Sequence, residues 1–209
     1  ALNMRASAPL VQLHDTQLFI KHLTALFGDV HVVPTPRQLL ATTIAVTHNL
    51  TFITGGPGMG KTWTVRSILA LRMIQQHLQS PKQPLRIALA APTGKAASRM
   101  KESLCDELKL KLIDKLAPLL PQGLSAQLLH DQLLTLETST IHRLLGYNPQ
   151  IATQFRHRAD NPLPIDILVI DEASMIDLAL FSKLMAAIPP ATQVIILGDP
   201  NQLTSVEAG

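Results

Sequence analysis

A glycine-rich run that ends in lysine and threonine lies in the first third of the chain. Residues 55–62 read GGPGMGKT, which matches the spacing G-x-x-x-x-G-K-[ST]. Glycines let backbone N–H groups turn inward around a phosphate, and the positive end of a following helix would face the same anion. We expect Lys61 to reach the β- and γ-phosphates of a nucleotide and the Thr62 hydroxyl to ligate Mg²⁺. The predicted nucleotide-binding residues of this run are Gly55, Gly56, Pro57, Gly58, Met59, Gly60, Lys61 and Thr62.

Two adjacent carboxylates follow a short apolar run later in the chain. Asp171 and Glu172 come directly after residues 167–170, which read ILVI. Ligands of doubly wound sheets bind at the carboxyl ends of the strands, so both side chains would face the nucleotide. Asp171 is suited to hold Mg²⁺ opposite Thr62, and Glu172 to orient the attacking water. The alternative is that these acidic residues only cap the next helix.

A third strand end adds an amide. Residues 198–202 read GDPNQ after the apolar run 194–197. Gln202 can donate and accept hydrogen bonds at once, so it could contact the γ-phosphate or its water. A plain Pro-Asn turn explains the backbone of this segment but not the glutamine. The predicted catalytic residues are therefore Lys61, Glu172 and Gln202.

Apolar runs and helical stripes alternate along the chain. Strands are predicted at residues 50–54, 85–91, 165–170 and 193–198, with helices between them. The strands are continuous β-branched runs that do not alternate polar and apolar residues, which is typical of strands buried on both faces in a parallel sheet between helices. The predicted class is α/β. A strand before the glycine-rich run and a helix after it also favour a phosphate cradle over a hairpin with an incidental lysine.

Composition excludes several classes of protein. The chain has 209 residues, 46% of them hydrophobic and 16% charged, which is atypical of a disordered protein. Cys105 is the only cysteine, so no disulfide can form within the chain. No apolar run approaches the roughly 18 residues that span a bilayer, and we expect a soluble, cytoplasmic protein. The net charge of +3 permits a polyanionic partner without requiring one.

Five segments together resemble the motifs of superfamily 1 helicases. Residues 55–62, 171–174 and 198–203 resemble motifs I, II and III, residues 91–97 (APTGKAA) resemble motif Ia, and residues 139–146 (STIHRLLG) resemble the segment that follows it. Within that superfamily the sequences of these motifs are most similar to those of the RecD family, the alpha chains of exodeoxyribonuclease V. The resemblance covers residues 35–209.

The resemblance implies a RecA-like P-loop NTPase domain, the first motor domain of a 5′→3′ DNA helicase that uses ATP and Mg²⁺ in double-strand break repair and recombination. Its implied partners are single-stranded DNA and RecB-like and RecC-like subunits, with no membrane. Residues 1–34 would be a helical linker or the end of an N-terminal domain. The second motor domain, with its arginine finger, would lie outside this chain. Since such a finger is worth about 10³–10⁵ in rate, we expect the chain alone to be nearly inactive.

The resemblance also implies roles for residues that the spacing alone leaves undecided. Gln38 takes the place of the glutamine that reads adenine, although the adenine's stacking partner stays unidentified. The predicted DNA-binding residues are Thr93, Gly94, Lys95, Thr140 and His142. Residues 156–158 (RHR) are instead interpreted as a solvated loop, because no aromatic residue is expected close enough to stack bases.

Two rival interpretations remain open at this stage. A P-loop NTPase that is not a motor, such as a clamp-loader-like or kinase-like enzyme, explains the phosphate cradle and the carboxylates. It does not explain the segment that resembles motif Ia, or Gln202. A non-catalytic module that binds nucleotide or a partner subunit is the third interpretation.

Overall fold

The structure is a computed structural model that describes residue 13 and residues 15–28, 36–104, 111–147 and 155–199. The helices are α1 (Thr16–Phe27), α2 (Arg37–Thr47), α3 (Lys61–Gln79), α4 (Gly94–Leu104), α5 (Lys111–Leu116), α6 (Ala126–Leu134), α7 (Ile141–Leu145) and α8 (Leu178–Ala187). The strands are β1 (Leu50–Thr54), β2 (Ile87–Ala91), β3 (Thr138–Thr140), β4 (Ile167–Ile170) and β5 (Gln193–Gly198). Two short 3₁₀ helices span Ala117–Leu119 and Ala173–Met175.

The strands of the described residues form one parallel sheet in the order β1-β5-β4-β2-β3. The register pairs Thr54 with Gly198 and Ala91 with Thr140, so the carboxyl ends of the strands lie along one edge. The predicted α/β class with a parallel sheet is confirmed. Strand β5 separates β1, which leads into the glycine-rich run, from β4, which leads into the carboxylates.

Helices cover both faces of the sheet because the central strands are apolar on both sides. Ile167 and Val169 of β4 pack in a core with α1, α2, α3, α5 and α6. Leu168 and Ile170, which point the other way, pack in a second core with α7 and α8. The two cores hold the sheet rigidly between them, and so fix the positions of the loops at its carboxyl edge.

Strand β1 departs from the expectation that every strand is buried on both faces. Phe52 is 59% exposed, whereas its neighbours Thr51 and Ile53 are buried. The reason is that β1 is an edge strand, while α7 and α8 pack against residues of β4 and β5. A five-residue apolar run does not reveal which strand will stand at the edge of a sheet.

Several smaller features also differ from the sequence prediction. Strand β3 and helix α5 were not predicted, because three polar residues and a six-residue helix carry no clear period. Helix α1 ends at Gly28, which has a φ of +85° and whose N–H donates to the Thr24 carbonyl at 2.9 Å. None of the described helices combines the length and the apolar composition that crossing a membrane would require.

Candidate functional site

The glycine-rich run forms a loop between β1 and α3. Helix α3 begins at Lys61, so its first N–H groups face the loop. Gly58 and Gly60 have φ values of +73° and +78°, which side-chain-bearing residues rarely adopt. A Cβ at Gly60 would also collide with Nε2 of Gln38. The loop therefore needs glycine at position 60 for its backbone and for the neighbouring side chain, as a cradle for an anion requires.

Lys61 lies inside this loop. Its ammonium donates to the carbonyls of Gly55 and, at 3.1 Å, of Gly56. The loop and the first turn of α3 line a cavity of about 710 Å³, together with Ser103 and Lys111. A half-buried ammonium at the mouth of a helix N-terminus gives this cavity a positive potential, which favours a phosphate chain.

Gln38 braces the loop from outside. Its Nε2 donates to the carbonyl of Met59 at 3.3 Å. The amide oxygen and the second N–H remain chemically capable of pairing with an adenine edge. The structure thus brings Gln38 to the glycine-rich loop, across twenty-one positions of sequence.

The two carboxylates share a cavity with the start of α3. Asp171 and Glu172 line a space of about 180 Å³ with Thr62. One oxygen of Asp171 accepts from the N–H of Glu172 at 2.8 Å. The Thr62 hydroxyl and the Asp171 carboxylate are oxygen donors of the kind Mg²⁺ prefers, so this set fits that ion.

Glu172 has an unusual backbone. Its φ of +51° and ψ of +40° are left-handed, and it is the only non-glycine residue with positive φ within the described ranges. Such a conformation costs of order 1–3 kcal/mol and occurs preferentially at functional sites. The side chain makes no helix-capping hydrogen bond, and α8 is instead capped by Asp177, which accepts from Leu180 N at 2.7 Å. The capping alternative therefore does not account for Glu172.

The predicted DNA-binding threonines stand at neighbouring strand ends. Thr93 accepts a hydrogen bond from Ala96 N and Thr140 from Arg143 N, each at 3.2 Å, so both are helix N-caps. Their strands pair directly, which brings the starts of α4 and α7 to the same edge of the sheet. Gly94 and Lys95 are exposed beside them.

An aromatic cluster that no sequence motif predicts lies next to these threonines. It consists of His142, Tyr147 and Phe155, whose ring centroids are 5.8 to 6.2 Å apart. The reason given for treating residues 156–158 as a solvated loop is therefore wrong, because Phe155 adjoins Arg156 and is bridged to Tyr147. Tyr147 is 46% exposed, and the ammonium of Lys183 lies 5.5 Å from the Phe155 ring centroid. Proximity of Tyr147 to His142 in the sequence was the available signal.

Gln202 lies outside the described residues. The structure describes the chain to Asp199, which is buried at the end of β5, next to the end of β4. The side chains of Arg99 and Ser103 on α4, which no motif in the sequence predicts, also line the cavity of the carboxylates. Helix α4 thus belongs to the site through its side chains and not only through its first residues.

Comparison with known proteins shows which family this chain belongs to and which proteins are similar to it. The model of the family described as "AAA domain" matches residues 38–208. The RecBCD enzyme subunit RecD of Mycolicibacterium smegmatis is 43% identical over 82% of this chain and 28% of that protein, and the RecD of Haemophilus influenzae is 42% identical over 82% of this chain and 24% of that protein.

A related enzyme and a solved structure are also similar. The ATP-dependent RecD2 DNA helicase of Deinococcus radiodurans is 37% identical over 78% of this chain and 17% of that protein. The crystal structure of Bacteroides Pif1 bound to ssDNA aligns at a TM-score of 0.45 and 19% identity, over 84% of this chain and 34% of that chain, a likeness too low to argue from. The chain spans 28% or less of the length of each of these curated relatives.

Proposed function

We propose, from the premise that this chain belongs to the AAA domain family and is homologous to RecD subunits, that it is the ATP-binding motor domain of a DNA helicase subunit of exodeoxyribonuclease V. Residues 35–209 would form the first RecA-like motor domain, with residues 1–34 as a linker or the end of another domain. The observation that carries the proposal is the cavity of about 180 Å³ in which Thr62 meets Asp171 and Glu172. A phosphate cradle and a carboxylate pair at one edge support nucleotide hydrolysis.

ATP is the proposed cofactor, together with Mg²⁺. The backbone of residues 55–62 would hold the phosphates, and Lys61 would exchange its loop carbonyls for the β- and γ-phosphate oxygens. Gln38 would read the adenine while it braces Met59. Thr62 and Asp171 would hold Mg²⁺, which when bound would neutralise charge on the phosphates.

Glu172 and Gln202 are the proposed groups at the reacting end of the nucleotide. The Glu172 carboxylate, which shares the cavity with Thr62, would accept a hydrogen bond from the attacking water and orient it. Its left-handed backbone supports a functional role, because the strained conformation is not explained by a helix-capping hydrogen bond from its side chain. Gln202 would contact the γ-phosphate or its water, and so report the state of the nucleotide.

Single-stranded DNA is the proposed track. The N-termini of α4 and α7, with Thr93, Gly94 and Thr140, would bind backbone phosphates, and Lys95 would add charge. His142 lies in the aromatic cluster, whose exposed Tyr147 offers a ring face for base stacking. Translocation would run 5′→3′ within a complex containing RecB-like and RecC-like subunits, in the cytoplasm, during double-strand break repair and recombination.

The test is nucleotide turnover by the full-length subunit with its partner subunits, with and without single-stranded DNA. We expect DNA to stimulate ATP hydrolysis and the complex to translocate along tailed DNA as it hydrolyses ATP, because a motor couples the two. A clamp-loader-like or kinase-like enzyme would not translocate. Glu172→Gln should keep ATP binding and reduce turnover by about 10²–10⁴-fold. Glu137→Gln, which changes an exposed glutamate just before β3, is the matched control and should behave as the unmodified protein. Normal turnover in Glu172→Gln would remove this residue from the proposed mechanism.

A further inference from the structure

Helix α4 presents a row of polar side chains along one face. Lys95, Arg99 and Ser103 follow one another at intervals of four residues, which places them above one another on a helix. The other face of the helix is buried and consists of Ala96, Ala97, Met100 and Leu104. The polar row begins at the proposed DNA contact and ends at the proposed nucleotide site.

The far end of the row makes a direct contact with the nucleotide loop's helix. The Ser103 hydroxyl donates to the Thr62 hydroxyl at 3.0 Å. Ser103 lines both the cavity of the glycine-rich loop and the cavity of the two carboxylates. It is therefore placed between the phosphate cradle and Asp171, next to Thr62, whose side chain also lines both cavities.

The same end of α4 is fixed to α3 by a buried cation. Arg66 of α3 is 2% exposed, and its Nε donates to the Leu104 carbonyl at 3.0 Å while Nη2 donates to the Ser103 carbonyl. A guanidinium on the last carbonyls of a helix also interacts favourably with its negative end. This anchor keeps Ser103 against Thr62, so that the hydroxyl contact is a built feature and not a chance approach of two surface side chains.

We propose, on the basis of the proposed function, that Ser103 is a positioning residue for Thr62 and that α4 links DNA binding to Mg²⁺-nucleotide binding through this contact. By donating to Thr62, Ser103 occupies one lone pair of the hydroxyl oxygen. The other lone pair remains available to a metal ion, and the Thr62 hydroxyl can still donate its proton in a hydrogen bond to a carboxylate. Lys95 and Ser103 are about 12 Å apart along a continuous helix, so a tilt of its first turn changes the angle at which Ser103 meets Thr62 at the anchored end.

The experiment measures equilibrium binding, not turnover. A fluorescent ATP analogue is titrated onto the full-length subunit in its complex, at a series of Mg²⁺ concentrations and in EDTA, with and without oligo-dT. In Ser103→Ala the Mg²⁺ concentration for half-maximal binding should rise about fivefold, the equivalent of one ordinary hydrogen bond, while affinity in EDTA stays unchanged. The effect of oligo-dT on analogue affinity, and the reciprocal effect of the analogue on oligo-dT affinity, should shrink together.

Two variants keep the result interpretable. Ser103→Thr retains the hydroxyl and should restore the Mg²⁺ dependence of the unmodified protein. Ser98→Ala removes a hydroxyl from an exposed position of the same helix and should change nothing. Thermal unfolding of each variant shows whether the fold is retained.

Several outcomes would overturn the inference. An unchanged Mg²⁺ midpoint in Ser103→Ala, an equal change in Ser98→Ala, or Ser103→Thr behaving as Ser103→Ala would each show that the hydroxyl contact has no such role. A loss of affinity in EDTA would indicate general damage to the loop and would also reject it. If the unmodified complex shows no Mg²⁺-dependent nucleotide binding at all, both the proposed function and the role of Ser103 are rejected. If the unmodified complex binds nucleotide with Mg²⁺ and only the Ser103 variants behave otherwise than expected, the role of Ser103 alone is rejected.

Discussion

Strand β4 has an aspartate before its first residue and another after its last, and the two are used in opposite ways. Asp166 accepts three hydrogen bonds from Arg86, from the backbone N at 2.8 Å, from Nε at 3.0 Å and from Nη2 at 2.7 Å. Asp171, within the part of the chain that the structure describes, accepts from Glu172 N and faces a cavity. The same residue type is structural at one end of the strand and available to a ligand at the other.

The difference extends to the two edges of the sheet. At the amino edge, the buried Gln193 donates to the carbonyl of His48 at 2.8 Å and to that of Ala45, and Thr192 donates to that of Ile165 at 2.7 Å. At the carboxyl edge, polar groups line cavities and Glu172 has a strained backbone. Asp166 and Thr192 also line a cavity, of about 900 Å³, so the two edges differ in hydrogen bonding and not in the presence of a cavity. At the amino edge these side chains bond to Arg86 or to a backbone carbonyl, which stabilises the fold, whereas the Asp171 carboxylate accepts from the N–H of the next residue.

The strongest test of the difference between Asp166 and Asp171 is to neutralise each aspartate in turn. Asp171→Asn should reduce ATP turnover by at least about a hundredfold. Mutating a residue that only hydrogen-bonds to a metal ligand commonly lowers metal affinity or activity 10–100-fold, and Asp171 is itself a proposed ligand. It should leave thermal stability nearly unchanged. Asp166→Asn is the matched control and should leave turnover intact. Equal loss of turnover in both variants would show that position on the strand does not separate their roles.

A second prediction concerns strain at the two edges. Gly60→Ala should weaken nucleotide binding at least about tenfold, because a left-handed backbone costs roughly 1–2 kcal/mol with a side chain and the new Cβ would collide with Gln38. Gly123→Ala, at φ +88° and 3.5 Å from His77, introduces the same backbone strain far from the loop. It should lower the melting temperature without affecting nucleotide affinity measured by calorimetry.

A third prediction addresses the amino edge alone. Gln193→Leu should destabilise the chain by about 2 kcal/mol, because the buried Ala45 carbonyl and the part-buried His48 carbonyl lose their donor. Urea unfolding measures this, with the exposed Gln122→Ala as the control. Turnover in the full-length protein should be unaffected; a large loss of turnover in a still-folded Gln193→Leu protein would contradict the division between the edges.

The smallest expected effect is that of Asp166→Asn on stability. Hydrogen bonds from Arg86 lower the pKa of Asp166 below its ordinary value, against the opposing effect of burial. The pair is partly exposed, so its loss should cost under about 1 kcal/mol at neutral pH. A lowered folded-state pKa means that this stabilisation is complete above the unfolded pKa of about 4 and is lost as the pH falls through the lower folded value. Unfolding curves of the two proteins should therefore converge in acid.

Much of this architecture could be predicted because its signals are local. The strand, the glycine-rich loop and the helix that follows are contiguous, and so are β4 and its carboxylates. The contact between Thr62 and Ser103 joins residues forty-one positions apart and depends on how α3 and α4 pack. The exposure of Phe52 depends on the order of the strands, and the aromatic cluster on a bridge between Tyr147 and Phe155. The first two do not follow from spacing in the sequence, and for the third the only local signal is the short separation of His142 and Tyr147.

With the role proposed for Glu172, its left-handed backbone makes heat resistance and hydrolysis conflicting demands on that position. Glycine or asparagine would relieve the torsional cost, and either would delete the carboxylate. Under selection for thermal endurance alone, a chain of this fold should drift towards those residues at position 172. Under selection for turnover it should keep the acid and tolerate the penalty, offset by the packed cores on either side of the sheet.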